Sequence, residues 1–489
     1  MASKTRPDRT PDALCLTREE IEGLSGELEA YCAIFRPLFA RREQRDWMEV
    51  YLEGLVTPSI ERKSIEPMIL AIKGADDNAV RAAQQFIGAG AWDDDVILAR
   101  HRVEVAVTMG EPDGVLTLDG SDFPKQGKES VGVKRQYCGQ LGKRANCQAG
   151  VFLGYVSSKG YTLLDRRLYL PKEWVDSPLY AERREKCGVP RDLEFRTKNK
   201  LAWDMIESLQ REDSLPHRWV ACDEAFGRDT GLLDQIAGSG LWYFAEIPKD
   251  TRVWVGRPAT EVPEWKGRGP KPQRSRVLEG QPEAQGVEDL AASIAVEDWT
   301  RCAIKEGTKG PIIADFFAIQ VAAVREDLPG PDVWLVLRRN AETGEVKYFV
   351  SNAPADTPLS TLVRTAGLRW PIETCFEEGK QYLGMGDYEV RTWKGWHHHM
   401  TLCLLAPSFS CSHAAEPQKK TIGITLPQTA LLLSVVLVRP YADVEWVLGV
   451  LSYRQQHNLA AYQSHRRRRL QRLRADPGHG GEHILETSL

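Results

Sequence analysis

Five short apolar segments between residues 114 and 248 constrain the fold more than any other feature of the sequence. Three come in succession, "GVLTLD", "NCQAGVFLGYVSS" and "GYTLLDRRLYL", and the last two meet at Ser-Ser-Lys-Gly, which predicts a hairpin. Helical segments around Tyr180–Cys187 and Asn199–Glu212 follow, and then come "HRWVACD", a helix near Thr230–Ala237 and "LWYFAEIP". This order predicts an α/β fold with a mixed five-stranded sheet and helices packed on it, within an α+β multidomain chain.

The segments on either side of this sheet predict further parts of the chain. We expect a disordered lead over residues 1–15 and an all-α N-terminal domain over 16–105, where apolar residues recur with helical periodicity. The first part of the α/β core then occupies 106–250. A segment rich in Pro, Gly and basic residues, followed by a hairpin of "DVWLVLRRN" and "EVKYFVSN", predicts a mostly β insertion over 251–356. The second part of the core and C-terminal helices fill 357–460, and a basic tail fills 461–489.

Composition argues against several classes of protein. The ten cysteines contain no Cys-x-x-Cys pair, which disfavours a zinc ribbon or a disulfide scaffold and suits a reducing cytoplasm. The N-terminus has no apolar signal segment, and the longest apolar run, "ALLLSVVLV", has nine residues, too few to span a membrane. We therefore expect a cytoplasmic protein without a membrane partner. The net charge of −4 gives no global sign of nucleic-acid binding, so local clusters of charge matter more.

Two aspartates stand at the ends of predicted strands. Asp119 follows "GVLTL" and Asp223 follows "HRWVAC", and side chains beyond strand ends commonly converge on a crevice at one edge of an open sheet. The alternative is ordinary turn chemistry, in which Asp is common. With a third carboxylate, such a pair could hold two Mg²⁺ ions, which prefer oxygen ligands.

Glu373 is the candidate for the third carboxylate. It lies in "LRWPIETCFEEGK", where Arg369, Glu373 and Lys380 are separated by four and seven residues. In an α-helix these positions fall within a narrow sector of one face. Taken alone, the pattern is most simply a solvated face with ion pairs. After two strand-ending aspartates, it predicts a metal-binding carboxylate between two cations that contact phosphate oxygens.

These residues resemble the DDE-type insertion-sequence transposases, whose catalytic domain is ribonuclease-H-like. "RWPIETCFEEGK" matches the Arg-x3-Glu-x6-Lys part of the signature of one branch, in which a tyrosine stands three residues before the arginine. Here that position is Ala366, a departure that leaves the role of the tyrosine unfilled. The blocks "GVLTLDGSDFPKQGK" and "WVACDEAFG" resemble those around the family's two aspartates, and the resemblance runs from about residue 20 to 465.

The resemblance implies roles for the carboxylates and a function for the chain. Asp119, Asp223 and Glu373 would be the catalytic residues and the ligands of two Mg²⁺ ions, for which Mn²⁺ could substitute. The protein would bind double-stranded DNA at the terminal inverted repeats of an insertion sequence, cleave it and join the 3′-hydroxyl ends to target DNA. The N-terminal domain would bind the element ends, a dimer would pair them in a synaptic complex, and the protein would be nucleoid-associated when acting.

Other acidic residues lie close in sequence to these three. Asp122 is three residues beyond Asp119, and we favour Asp119 because it ends the predicted strand directly. Asp165, in "LLDRR", is a rival only if the strand register differs from the predicted one. The remaining acidic neighbours, which lack the same frame, are Glu224, Glu377 and Glu378.

Basic residues around the site are expected to contact DNA phosphates. The loop "FPKQGKESVGVKRQYCGQLGKR" is rich in Lys, Arg and Gly, which suits backbone contacts beside a nuclease site, and a merely solvated loop is the alternative. The candidate phosphate-binding residues are Arg369, Lys380, Lys125, Lys128, Arg135 and Arg391. The three histidines of "GWHHHM" cannot all bind one ion on a helix, and His399 is the one expected to face the active site or DNA.

Two other functions stay open at this point. The chain could be a catalytically inactive DNA-binding relic, an alternative kept alive by Ala366 and by the second acid at Asp122. It could instead be a ribonuclease-H-like nuclease that acts on nucleic acid without transposition.

Overall fold

The N-terminal region is helical. The computed structural model describes residues 18–265, 273–307, 310–414, 428, 431–433, 437 and 444–475, so the predicted lead over 1–15 lies outside the described residues. The first helices are α1 (Arg18–Phe35), α2 (Arg42–Val56), α3 (Ile65–Lys73), α4 (Asp77–Ala89) and α5 (Asp94–Met109). Asp76 and Asp93 cap α4 and α5, because their side chains accept hydrogen bonds from backbone N–H groups of the first turn.

The five predicted strands are present and form a mixed sheet, so the α/β fold class is confirmed. In chain order the strands of this part are β1 (Val115–Pro124), β2 (Lys134–Cys138), β3 (Lys143–Ser157), β4 (Gly160–Tyr169), β5 (Trp219–Cys222) and β6 (Trp242–Ile247). The order across the sheet is β4–β3–β1–β5–β6, the ribonuclease-H-like order, with β3 antiparallel to β1 and β4, and β5 parallel to β1 and β6. The hairpin at Ser-Ser-Lys-Gly joins β3 and β4, with Ser157 opposite Gly160.

β2 lies in the segment predicted as a basic loop. It pairs antiparallel with the start of β3, from Lys134 opposite Cys147 to Cys138 opposite Lys143, and a short turn at Gly139–Leu141 joins the two strands. We call residues 134–147 the basic ribbon. Alternate residues of β2 are exposed, as in an edge strand with one wet face, and its polar composition is the reason that the sequence did not reveal a strand.

Helices cover the sheet on both faces. Those after β4 are α6 (Lys172–Asp176), α7 (Ala181–Lys186), α8 (Lys198–Glu212), α9 (Glu224–Gly227) and α10 (Thr230–Gly238). α8 and α10 pack on one face, where Leu116 and Leu118 of β1 meet Ile206 and Leu233 in a buried cluster. Because side chains alternate along a strand, Asp119 belongs to the other face.

The insertion continues the same sheet. Its elements are β7 (Arg252–Trp254), β8 (Thr260–Glu261), β9 (Arg276–Val277), β10 (Gln285–Gly286), α11 (Val287–Ser293), β11 (Thr300–Gly307), β12 (Gly310–Arg325), β13 (Leu328–Asn340) and β14 (Val346–Ser351). β13 and β14 form the predicted hairpin, and β14 pairs antiparallel with β6, so that the sheet has twelve strands in the described part of the chain. Without β14, the apolar strand β6 would be an open edge of the sheet with unpaired backbone donors and acceptors, and such edges are usually covered in folded proteins.

Among the described C-terminal helices, the first three cover the face that carries Asp119, and the last packs through Tyr453 on α2, α3 and α4. These C-terminal helices are α12 (Leu359–Gly367), α13 (Pro371–Tyr382), α14 (Trp393–Ala414) and α15 (Val444–Ala475). α14 is buried between β4 and the N-terminal helices α2, α4 and α5. α15 runs through the expected boundary between residues 460 and 461, and the domain boundaries stay predictions. Among the described helices none is long and apolar enough to cross a membrane.

A buried ion-pair network joins α5, β4 and α8. Asp165 of β4 lies 2.5 Å from Arg167, 3.5 Å from Arg166 and 3.9 Å from Arg102 of α5. Arg102 in turn forms two hydrogen bonds to Glu212, of 2.7 and 2.6 Å. Burial opposes the charge of Asp165, yet the arginines hold its pKa below the ordinary value.

Replacing this aspartate tests the network. Asp165→Asn removes the countercharge that Arg167 contacts and one of the countercharges of Arg102 and Arg166, so we expect a loss of about 3–5 kcal/mol in unfolding free energy at pH 7, measured by denaturant titration. Because the folded-state pKa is depressed, the difference from the parent should persist above about pH 4 and shrink only below it. The matched control is Asp332→Asn, which removes an exposed carboxylate 2.8 Å from Arg257 and should change stability by less than about 0.5 kcal/mol. An equal loss in both variants would contradict the role of the network.

Candidate active site

The two aspartates meet where the parallel pairing of β1 and β5 stops. That pairing runs from Val115 opposite Trp219 to Leu118 opposite Cys222, so Asp119 and Asp223 are the next residues on adjacent strands. The expectation that Asp119 ends its strand is wrong: β1 continues to Pro124 by pairing with β3. The residues "GSDFP" look like a turn, but their backbone groups have a partner strand, and this keeps them extended.

Backbone N–H groups orient both carboxylates. Oδ1 of Asp223 accepts hydrogen bonds from Ala225 N at 3.1 Å and Phe226 N at 3.3 Å, and in this way caps α9. Oδ1 of Asp119 accepts one from Gly120 N at 2.6 Å. Among the described contacts these hydrogen bonds use Oδ1, so Oδ2 of each aspartate is the oxygen available to a ligand.

The negative charges of Asp119 and Asp223 repel each other. Burial, and next the charge of Asp223, raise the pKa of Asp119 to about 7, while Arg369 acts in the opposite direction. Burial likewise raises the pKa of Asp223, again against the attraction of Arg369. Like charges this close favour a cation between them, so the pair is a fitting place for a hard divalent ion.

Glu373 approaches the pair from α13. Ile372 and Phe376 bury the inner face of this helix, and the Phe376 ring lies 5.1 Å from that of Phe152 on β3. Glu373 is in the first turn, its side chain 54% exposed, and its charge contributes to the raised pKa of Asp119. Arg369, only 11% exposed, holds it through an ion pair of 2.8 Å between Nη2 and Oε1. In the described part of the chain no three acidic, His or Cys side chains are already grouped as a metal site.

The rival carboxylates lie elsewhere. Asp122 is three positions beyond Asp119 on β1, an odd offset that turns it to the other face of the strand, and its Oδ2 accepts from Gly139 N in the turn of the basic ribbon at 2.7 Å. Asp165 is held in the arginine network. Glu224 is exposed and pairs with Arg228 at 2.9 Å.

Two further acidic residues lie on α13. Glu377 is exposed, and Glu378 forms a hydrogen bond with Tyr161. Burial, and next the charge of Glu377, raise the pKa of Glu378 to about 7.

One acidic residue near the site was missed by the sequence analysis. Glu246 of β6 lies two residues beyond Phe244, and it faces the same side of the sheet as Asp119. Its Oε2 is 3.9 Å from Arg369 Nε, and its Oε1 is 2.8 Å from Lys347 Nζ. The available signal was a single charge inside the apolar strand "WYFAEI", which indicates a partner within the fold.

The six candidate phosphate-binding residues fall into different environments. Lys380 Nζ donates to the backbone oxygen of Asp122 at 3.0 Å and to Gln140 Oε1 at 3.2 Å, so it anchors the turn of the basic ribbon. Lys125 Nζ donates to Tyr388 O at 2.9 Å, and burial lowers its pKa to about 8. Arg369 is in the site. The exposed members are Lys128, Arg135 and Arg391.

The three histidines of "GWHHHM" are buried in α14. His398 Nδ1 is 3.0 Å from Ile87 O, and His399 Nδ1 is 2.8 Å from Tyr51 Oη. The expectation that His399 faces the active site or DNA is wrong, because its helix face is used to pack α14 against α2. Ala366, at the position of the signature tyrosine, is buried in the cluster between α12 and the sheet, and the described contacts give no substitute for the tyrosine's role.

Comparison with known proteins assigns the chain to a family. The family model described as DDE superfamily endonuclease matches residues 34–311, which is more than half of the 489 residues. The matched range contains Asp119 and Asp223 and ends before Glu373. None of the curated proteins matches the chain. By its sequence match, the protein belongs to the DDE superfamily endonucleases.

Proposed function

We propose that the protein is a DNA transposase that binds the terminal inverted repeats of an insertion sequence, cleaves them and joins the 3′-hydroxyl ends to target DNA. Membership of the family makes it a metal-dependent endonuclease whose substrate is DNA. The observation that carries the finer proposal is the meeting of Asp119 and Asp223 on adjacent parallel strands, with Glu373 approaching from α13 in the Arg-x3-Glu-x6-Lys frame.

The carboxylates fit Mg²⁺. Asp119, Asp223 and Glu373 would hold it, since they supply oxygen donors, and a divalent cation would offset the burial and the like charge that raise the pKa of Asp119. Two bound ions, with Mn²⁺ able to replace Mg²⁺, would supply activation of a water or hydroxyl nucleophile and stabilisation of the departing oxygen.

Backbone donors and one arginine side chain of the protein orient these carboxylates. The hydrogen bonds from Gly120, Ala225 and Phe226 fix Oδ1 of the two aspartates, so that Oδ2 of each keeps one direction. In the described contacts an ion pair with Arg369 holds Glu373, and more than half of its side chain is exposed, so we expect it to be the carboxylate that shifts when DNA or a metal binds. Arg369 can bind a phosphate oxygen with the same fork of donors that now holds Glu373.

Exposed cations beside the site are proposed to bind the DNA backbone. The basic ribbon presents Arg135, Lys143 and Arg144 to solvent, together with the ring of Tyr137, which is 65% exposed. Lys380 of α13 anchors the turn of the ribbon, so these charges have a fixed position relative to Glu373. The N-terminal helices are proposed to recognise the element ends, and a dimer to pair two ends.

Amide substitutions test the catalytic assignment. Asp119→Asn, Asp223→Asn and Glu373→Gln each remove a ligand charge, so we expect each to lower Mg²⁺-dependent cleavage by roughly three orders of magnitude. The assay uses a duplex that contains the ends of the element flanking the gene, and strand transfer is scored on a target plasmid. Glu224→Gln, which changes the exposed neighbour of Asp223, is the control and should cleave at the parental rate.

Each outcome of this assay assigns a function. If all three amide variants cut as well as the parent, the catalytic assignment is wrong. An inactive parent that still binds DNA would identify a relic. Cleavage without strand transfer, at a gene that lacks flanking inverted repeats, would identify a nuclease that does not transpose.

Charge removal on the basic ribbon tests the DNA surface. We expect Arg135→Gln and Lys143→Gln each to weaken binding to a 30-base-pair duplex in EDTA and to reduce the slope of log K against log salt by about 1. Fluorescence anisotropy between 50 and 200 mM salt measures both quantities. The matched control is Arg211→Gln, which alters an exposed cation on α8, on the opposite face of the sheet. A slope that is unchanged in the ribbon variants would remove the ribbon from the DNA-binding surface.

A further inference from the structure

A line of alternating charges crosses the site from the insertion to the catalytic helix. Lys347 of β14 contacts Oε1 of Glu246 at 2.8 Å, and Oε2 of the same carboxylate faces Arg369 Nε at 3.9 Å. Arg369 then contacts Glu373 at 2.8 Å through Nη2. Three of these four side chains are at least two-thirds shielded from solvent, so salt screens their interactions less than it would at the surface.

The register of the strands explains why the charges meet. Glu246 pairs with Phe349 across the β6–β14 ladder, and Lys347 is two residues before Phe349, on the same face. A second contact from the insertion reaches the same helix, because the Arg338 guanidinium lies 4.9 Å from the ring centre of Trp370. The insertion thus contacts Trp370 directly and reaches Arg369 through Glu246 of β6.

Arg369 needs such support because it has competing partners. It attracts Asp119 and Asp223, and it holds Glu373 in an ion pair. Without Glu246 on its other side, the guanidinium would be free to move between the two aspartates, where a divalent ion would bind. The position of the Arg369 guanidinium therefore depends on Glu246, a carboxylate outside the proposed metal-binding group.

We propose that Glu246, oriented by Lys347 of the insertion, is a positioning residue that keeps Arg369 beside the aspartate pair rather than within it. This placement lets Arg369 exchange Glu373 for a phosphate oxygen of DNA, so that Glu373 becomes available to the metal. The inference rests on the proposed function, since it concerns the same carboxylates. It also assigns the insertion a role in the active site.

A double-mutant cycle on Mn²⁺ binding tests the positioning. Calorimetric titration of the full chain compares the parent with Glu246→Gln, Arg369→Gln and the double variant. We expect Glu246→Gln to weaken Mn²⁺ binding roughly tenfold, because the released Arg369 competes with the ion. In the Arg369→Gln background the same change should weaken binding by less than about threefold, because no guanidinium is left to position. Equal effects in both backgrounds would show that Glu246 acts by its charge alone and would overturn the proposal.

Variants of the insertion supply an independent readout. Lys347→Met should weaken Mn²⁺ binding in the same direction as Glu246→Gln, and Lys347→Arg should restore it, because either cation can orient the carboxylate. The control is Arg257→Gln, which breaks an exposed ion pair with Asp332 elsewhere in the insertion and should leave Mn²⁺ binding unchanged within about twofold. A Lys347→Met protein that binds Mn²⁺ like the parent would exclude the insertion from the site.

The failure of this inference is separable from that of the proposed function. If Glu246→Gln has the same effect on Mn²⁺ binding in both backgrounds while the parent cleaves and joins DNA, only the positioning role is overturned. If its effect is smaller in the Arg369→Gln background but the parent does not cleave DNA, only the transposase assignment is overturned. If the parent binds no Mn²⁺, both are overturned.

Discussion

Two carboxylates that repel each other are held side by side by the parallel pairing of β1 and β5, and much of the surrounding structure follows from that constraint. The pairing ends at Leu118 and Cys222, so the next residues, Asp119 and Asp223, are neighbours on adjacent segments of the chain. Burial makes their repulsion stronger than it would be in water. The buried guanidinium of Arg369 and backbone N–H donors at both aspartates partly offset this repulsion. The two aspartates thus offer oxygen ligands for a cation, but in the described residues no third ligand is yet grouped with them.

The second half of the site comes from helices that pack on the same face of the sheet. α13 is oriented by Ile372 and Phe376, whose burial against β3 brings Glu373, in the first turn of the helix, near the aspartates. Lys380, near the other end of α13, is bonded to the backbone of Asp122 and to the turn of the basic ribbon. One helix therefore sets the distance between the acidic group and a basic surface. This coupling matters for an enzyme that must hold a polyanion while it acts on one of its phosphates.

The sequence predicted the elements whose patterns are local. The apolar runs gave the five strands of the core, the hairpin at Ser157 and Gly160, and the hairpin of β13 and β14, because alternation and turn residues are properties of neighbouring positions. The continuation of β1 beyond Asp119 could not be predicted, because it depends on the partner strand β3. The same is true of β2, whose polar residues are compatible with a loop.

Side-chain roles were harder to predict than strands. Lys125 and Lys380 look like free surface cations in the sequence, yet their long apolar stems are buried and their amino groups bind backbone oxygens. His399 shows the same limit, because only the packing of α14 on α2 reveals its partner Tyr51. Glu246 became visible only when β14 was placed beside β6. The family match does not extend to Glu373, so its assignment depends on the motif and on the geometry of α13.

The pairing of β14 with β6 also limits how this chain can be divided. If residues 251–356 were cut away, β6 would present the edge of "WYFAEI" with its backbone donors and acceptors unpaired. Open apolar edges of this kind pair with other chains and seed aggregation. The insertion therefore protects the catalytic sheet from self-association, and a shortened enzyme would need another strand, or charged residues along β6, in its place.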